Sequence, residues 1–581
     1  MSQEQSKEMS QGFYRASAAD FMKIPGSPVA YWVSPDLCRN FLSPRKIGNA
    51  AKKGLSCSGT ETFYRLFWEI SKNKASVFGG SKWYPITKGG PFRKWFGNNE
   101  FLINWEDNGS EIKSRLDGSG RPVAAIRNEA SFFLECSSWN DVSSGVLSCR
   151  FTPKGSIPTD SGPAIYSSEH KQALAFLNSA VAMPFAKLLC PTIHFGVGQI
   201  AEFPLIVNPA EEALANSELL VGITRRDWDS YEVSPDFAAA PIIGIPKQTV
   251  EDAYNQLRLK WGQAVEQAKS LEEENNRIFI DAYGLQDELT PEVQLNEITL
   301  TCNPHYRYGG DKSEAELEIL QQCDTIEELV SYAIGCMMGR YSLDKPGLIL
   351  ASQGETLQDY LRHIPSPRFA PDDDAILPLT DQEWFTDDAT HRFREFIRVV
   401  WGEEHLQQNL NFVAESLCLN AIKPKKGESS LDTIRRYLST QFFKDHLRTY
   451  KKRPIYWLFS SGKHKAFQCL VYLHRYNEGT LARMRTEYVI PLTAKLNTYA
   501  NKLEQDIEAS TSTAENKRLE KELAALHNQQ AELATFDEKL RHYADQRISL
   551  DLDDGVKMNY GKFGDLLAEV KAVTGDKSSD A

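Results

Sequence analysis

The spacing of apolar residues changes character twice along the chain. From Phe21 to Pro209, apolar and aromatic residues come in short runs separated by Gly, Pro and Asn, which predicts strands and tight turns. Phe92 to Phe96 and Phe101 to Trp105 mix aromatic and β-branched residues around the turn signals Gly97-Asn98 and Asn108-Gly109. A short β-meander is expected there. Ser131 to Trp139 and Ser144 to Phe151 read as further strands, and Phe21 to Ser34 as a leading strand or docking segment. A helix is expected from Ser168 to Leu189, interrupted at Pro184. From Thr249 to Tyr283 the period turns helical, with Tyr254, Leu257, Trp261, Val265 and Ala268 on one face. After Leu492, leucines recur at coiled-coil spacing on both sides of a polar break, Glu508 to Glu515. That pattern predicts an antiparallel helical hairpin ending near Tyr543.

The predicted fold class is α+β and multidomain: a β-rich recognition domain, mainly helical domains after it, and the C-terminal antiparallel hairpin. A length of 581 residues exceeds what one core serves. The expected segments are a flexible start over 1–20, the β-rich domain over 21–209 and a helical spacer over 210–365. A basic domain over 366–491, the hairpin over 492–548 and a tail segment over 549–581 complete the chain. The polar start MSQEQSKEMSQG carries no apolar signal segment, and no apolar run reaches the length of a membrane span. Ten cysteines without a Cys-x-x-Cys pair read as reduced thiols of a cytoplasmic protein, not as a disulfide frame or a zinc site.

A formal charge of -12 argues against a polyanion partner, but the average hides its parts. Arg39 to Arg127 holds 16 Lys and Arg against 7 Asp and Glu, and Arg435 to Arg485 holds 12 against 2. Lys82 to Gly109 sets four of these cations among three tryptophans. Cations beside flat aromatic faces suit a surface that holds phosphates and contacts bases. Lys82, Trp83, Lys88, Arg93, Lys94, Trp95 and Asn98 are therefore candidate DNA contacts. Lys451, Lys452, Arg453, Lys463 and Arg475 of the second zone would add sequence-independent phosphate contacts, so that a duplex is clamped from two sides. Against this stand an aromatic core with a solvated basic rim, and salt bridges between these cations and the acidic remainder.

The stretches KGGPFRKWFGNNEFLINWEDNG, SSWNDVSSGVLSCRF and PTIHFGVGQIAEFPL resemble the target-recognition region of the PglX family, the adenine-specific DNA methyltransferases of BREX phage-defence systems. EEENNRIFIDAYGLQDELTPEV, SYAIGCMMGRYSLDKPGL, KKRPIYWLFSSGKHKAFQCLVYLHRYN and DLDDGVKMNY resemble blocks of that family's C-terminal half. The resemblance runs from about Phe21 onward; Ser234 to Phe237 departs from it by lacking a tryptophan before the aspartate. It implies sequence-specific recognition of double-stranded DNA, with other BREX proteins as partners and no membrane. Family members begin with a methyltransferase domain that binds S-adenosylmethionine on a glycine-rich loop and holds the flipped adenine with an Asn-Pro-Pro-aromatic motif. The expectation is that this domain is absent from the chain and supplied in trans or by a missing portion. The chain alone would then be inactive and hold no cofactor, with S-adenosylmethionine serving the complete enzyme.

Two alternatives remain in the sequence. In one, the chain is a complete methyltransferase using Asn303 and Tyr306 of Asn303-Pro304-His305-Tyr306, although His305 replaces the second proline. Phe195-Gly196-Val197-Gly198 is the best glycine-rich candidate and lacks the acidic residue expected on a following strand. In the other, the chain is an interaction scaffold or a degenerate remnant that does not bind DNA. Ser460-Ser461-Gly462-Lys463 lacks two residues of a phosphate loop, Asp551 to Gly555 reads as an acidic turn, and Asp372-Asp373-Asp374 as a solvated loop. His446, His464 and His474 lack metal-ligand spacing and read as phosphate contacts or core.

Overall fold

A computed structural model describes residues 18–30, 32–143, 145–206 and 210–575. Residues 1–17 of the expected flexible start, and Ser144, lie outside the described residues. The chain is mixed α+β and mostly helical. Packing divides it into two compact units. One comprises the residues up to Tyr64, Gly79–Trp228 and Trp261–Gly309; the other comprises Arg65–Phe78, Asp229–Lys260 and the residues from Gly310 onward.

In the first unit, Cys136–Trp139 pairs antiparallel with Cys149–Thr152 and with Ala164–Ile165. Both expected strands are therefore present, at the ends of the runs that predict them. Trp83–Thr87 pairs antiparallel with Phe101–Asn104, placing Trp83 opposite Asn104, and parallel with Ile157–Pro158. Phe92 to Phe96 is not a strand: only Trp95 forms a bridge, to Arg150. Trp95, Gly97 and Asn98 all have positive φ (69°, 124° and 55°), so the chain coils here instead of extending. Asn108 and Gly109 take the left-handed turn that their identities predict, with φ of 58° and 72°.

Among its described residues, the segment from Phe21 to Ser34 forms no strand. Ile24 and Ala30 enter the core, and Ser34 caps the helix Pro35–Asn40 by accepting from Leu37 N at 3.0 Å. The predicted long helix is two, His170–Leu177 and Ala182–Leu189, bent by 85°. The break precedes Pro184, which sits in the first turn of the second helix, where its missing N–H has no acceptor to lose. What ends the first helix is Asn178, whose side-chain amide makes paired 2.9 Å bonds with the backbone of Cys149. Phe176 stacks on Tyr283 at 5.2 Å between ring centres, tying this bend to the helix Val250–Tyr283. Among the described residues no single helix is long and apolar enough to cross a membrane.

The second unit holds the start of Val250–Tyr283, with Tyr254 and Leu257 buried as the period predicts. Its antiparallel sheet sets Gln468–Tyr472 between Ile376–Pro378 and Tyr456–Ser460. Ile490–Ala509 and Thr513–Asp545 form the expected hairpin, with Leu496, Leu503, Leu519, Leu526, Leu533 and Leu540 buried. Its antiparallel register shows in the bonds from Tyr499 to Glu522 and from Gln530 to Asn497. The ten cysteines are unpaired thiols.

Glu327, on the helix Glu314–Met337, is buried 3.0 Å from Arg448. Burial, then the neighbouring carboxylates Asp445 and Asp324, push its carboxyl up to about 8 against the pull of Arg448. The folded chain thus binds this proton more tightly than the unfolded chain. The stability it carries is complete below the ordinary value of 4.5 and is lost as pH rises through 8. Glu327→Gln mimics the protonated form. Its Tm is expected to exceed the parent's at about pH 9 and to converge with it towards pH ~5, as thermal melts across that range will show.

Candidate nucleic-acid interface

The coiled segment after Lys88 turns its cations inward. Arg93 is 4% exposed, 3.4 Å from Asp227, with its guanidinium 4.8 Å from the Trp228 ring centre. It also donates to Thr301. Asp227 in turn accepts from the backbone of Thr301 at 2.6 Å and of Cys302 at 2.8 Å. Lys94 is ion-paired with Glu272, whose other oxygen accepts from Trp95 Nε1 at 2.8 Å. Burial pushes the Glu272 carboxyl up, and Lys94 opposes that. Gly97 is obligatory: a Cβ there would lie 2.5 Å from the Arg93 side chain and 2.9 Å from the Trp228 ring.

Five expected DNA contacts are therefore corrected to interior groups: Trp83, Arg93, Lys94, Trp95 and Asn98 are all under a tenth exposed. Asn98 donates to Pro91 O, and Trp83 and Trp95 are 1% exposed. The tryptophans make a core, as the aromatic-core reading has it, but two cations lie inside it and not on a rim. Lys82 and Lys88 remain at the surface, half-buried. Lys82 lies 3.3 Å from Glu106, and Lys88 Nζ sits 4.0 Å above the Phe101 ring.

The second basic zone is largely neutralised by acids from elsewhere in the same unit. Arg435 pairs with Asp388, Arg436 with Glu428 and Arg485 with Asp537, while Arg448 lies 3.0 Å from Glu327, whose raised carboxyl is mostly protonated at neutral pH. Arg475 is corrected too: it is buried and donates to the carbonyls of Asp372 and Asp373 at 2.8 Å. Asp372 is not solvated as expected. It is buried, and burial followed by its neighbour Asp374 raises its carboxyl to about 8. His446 accepts from the backbone N–H of Ile455 and Tyr456, and His474 contacts Ile70 O. Burial lowers both imidazoles to about 3, which makes them neutral core groups; His464 is exposed.

The turn Ser461 to Lys463 binds an anion, but its own. Glu532 accepts from Ser461 Oγ at 2.7 Å and from the backbone of His464 at 2.6 Å. Of the expected contacts in this zone, Lys451, Lys452 and Lys463 are exposed, and Arg453 is partly buried 3.8 Å from Glu69. Lys451 and Lys452 both have positive φ (51° and 57°), a conformation that costs a side-chain-bearing residue about 1–2 kcal/mol.

The residues with methyltransferase lettering do not fit a donor or base pocket. Asn303 is fully buried, its amide donating to Leu295 O and Ile298 O while its oxygen caps the helix Pro304–Tyr308 through His305 N. Tyr306 donates to Phe92 O, with Arg93 5.8 Å from its ring centre. Gly196 precedes a five-residue helix, Val197–Ala201, without a strand leading into it. Among the described residues no group of three or more His, Cys, Asp or Glu is placed to hold a metal.

Sequence reasoning missed Asp227 and Glu272, the acids that claim Arg93 and Lys94. The only signal was negative charge on helices with apolar neighbours. Removing one partner of such a pair strands a buried charge. Lys94→Ala is expected to lower the unfolding free energy by about 3–5 kcal/mol in denaturant titrations. Lys94→Met combined with Glu272→Gln, which keeps an acceptor for Trp95, is expected to recover most of that loss.

No family model matches the chain. It is 46% identical over 566 residues to the adenine-specific methyltransferase BrxX of Escherichia coli O9:H4 (strain HS), covering 96% of this chain and 46% of that protein. It is 36% identical over 571 residues to the adenine-specific methyltransferase PglX of Lacticaseibacillus casei (strain Zhang), covering 94% of this chain and 45% of that protein. The chain spans about half the length of the curated relatives it matches. Through nearly all of its own length, it is homologous to part of these two methyltransferases.

Proposed function

We propose that this chain recognises double-stranded DNA as part of an adenine-specific methyltransferase of a BREX phage-defence system. The observation that carries this reading is the 46% identity through 566 residues to a protein bearing that activity in its name. S-adenosylmethionine is the methyl donor that such an enzyme implies, and other proteins of the defence system are its partners in the cytoplasm. Phosphate contact falls to those expected contacts that reach solvent: Lys82 and Lys88 in the first unit, and Lys451, Lys452, Arg453 and Lys463 in the second. The left-handed pair Lys451-Lys452 supports this role, because strain kept at an exposed turn marks a position held for something other than stability.

A second reading places methyl transfer within this chain. It is favoured by the extent of the similarity, which takes in nearly the whole chain. Calorimetry separates the two: under the second reading S-adenosylmethionine binds the purified chain stoichiometrically, and under the first it does not.

For DNA binding itself, the triple variant Lys451→Ala, Lys452→Ala, Lys463→Ala is expected to keep the parent's Tm. In anisotropy titrations with duplex DNA, its slope of log K against log salt should fall by about 2–3, one ion for each lost phosphate contact. A parent chain without affinity for duplex DNA at low ionic strength would favour an interaction scaffold instead.

A further inference from the structure

The segment after the helix Glu106–Ser114 leaves the first unit as a free-standing ribbon. Leu116 bridges Pro122 in antiparallel register, Val123 N donates to Arg115 O at 3.1 Å, and Asp117 N donates to Arg121 O at 2.7 Å. Every residue from Lys113 to Pro122 is exposed, including Leu116 at 55%. The ribbon's foot is fixed. Ala124–Ala125 pairs with Ser56–Cys57, Ser58 N donates to Val123 O at 2.9 Å, and Ile126 packs towards Leu55, Ile103 and Phe132.

The tip, Asp117-Gly118-Ser119-Gly120, is ordered from within. The Asp117 carboxylate accepts from Ser119 N, Ser119 Oγ and Arg121 N at 2.7–2.9 Å. These bonds, led by the Ser119 hydroxyl, hold its carboxyl below the usual carboxylate range. Arg121 is 81% exposed; its Nε donates to Ser119 Oγ at 2.9 Å and lies 3.8 Å from Asp117 in the same turn, so the tip ties one edge of the guanidinium and leaves its terminal nitrogens to solvent. Arg115 and Arg127 have no carboxylate at ion-pair distance among the described residues. Gly118 and Gly120 have open space where a Cβ would be, so the backbone can approach a surface closely.

We infer that this ribbon enters a groove of the duplex and that Arg115 and Arg121 read base edges there. The inference rests on the DNA-binding reading above and names the part of the first unit that supplies its specificity. Three physical points favour a groove. A two-stranded ribbon is of a width that the major groove admits. Guanidinium forks meet the paired acceptors of guanine in one plane with two fixed donors, a closer match than the rotating donors of an ammonium. A rigid foot with an internally tied tip loses little freedom on insertion.

The test uses the full chain and a pool of duplexes with randomised centres, sequenced before and after selection on the protein. Arg115→Lys with Arg121→Lys keeps the charge and removes the fork. The ribbon touches little but itself, so the parent's Tm is expected to be retained. Affinity for the unselected pool should hold, while the preference for the selected sequence over the pool falls by about tenfold or more. A variant that keeps the parent's full preference overturns the ribbon's role and leaves the functional reading standing. A parent that binds no duplex at all overturns both, and a parent that binds without any sequence preference overturns the ribbon alone.

Discussion

The first unit depends on a buried exchange of charge between one coil and two helices. Arg93 and Lys94 are adjacent in sequence, and each is carried into the interior to meet an acid: Asp227 at the end of Ala210–Trp228 and Glu272 in Val250–Tyr283. Breaking either pair leaves a charge in a low-dielectric interior, which costs more than the intact pair adds in net stability. Trp228 and Gly97 make the arrangement specific, because the Arg93 guanidinium needs the indole face and the indole needs the missing Cβ. The loop to Asn303 is joined to that exchange through Thr301, Cys302 and the bond from Tyr306 to Phe92 O.

Local rules carried the regular elements. The Val250–Tyr283 helix and the hairpin of Ile490–Ala509 with Thr513–Asp545 were legible, because their apolar periods are set by what lies three and four residues away. Cys136–Trp139 and Cys149–Thr152 were legible as short apolar runs between turn signals. The fate of Arg93 and Lys94 was not, since their partners lie 134 and 178 residues on. Charge counted along a window records neither those acids nor the depth at which a cation sits. Pro184 misled differently: its rule was right, but the first turn of a helix is where proline is tolerated, and the bend belonged to Asn178.

The same lesson separates the two basic zones from the surfaces that matter. In the second unit, three arginines of the zone are matched by Asp388, Glu428 and Asp537, and the turn at Gly462 is filled by Glu532. Ser461 and the backbone of that turn are taken by a carboxylate of the helical hairpin, so any phosphate contact there falls to the Lys463 side chain. The acidic remainder of the chain is thus in part the internal counter-ion of its basic stretches, not only a field that repels polyanions.

What remains after this cancellation is small and has a common character. Lys451 and Lys452 sit at a left-handed turn where Gly or Asn would be less strained, and Arg115 and Arg121 flank a tip closed by its own aspartate. In each place the backbone is fixed by short-range bonds while the cation stays in solvent, an arrangement that contributes nothing to a core. Arg93 and Lys94 build the fold and are spent on acids, whereas Arg115 faces solvent beside an ordered turn with no carboxylate at ion-pair distance among the described residues. Net charge cannot distinguish the two kinds, and exposure on an ordered backbone can.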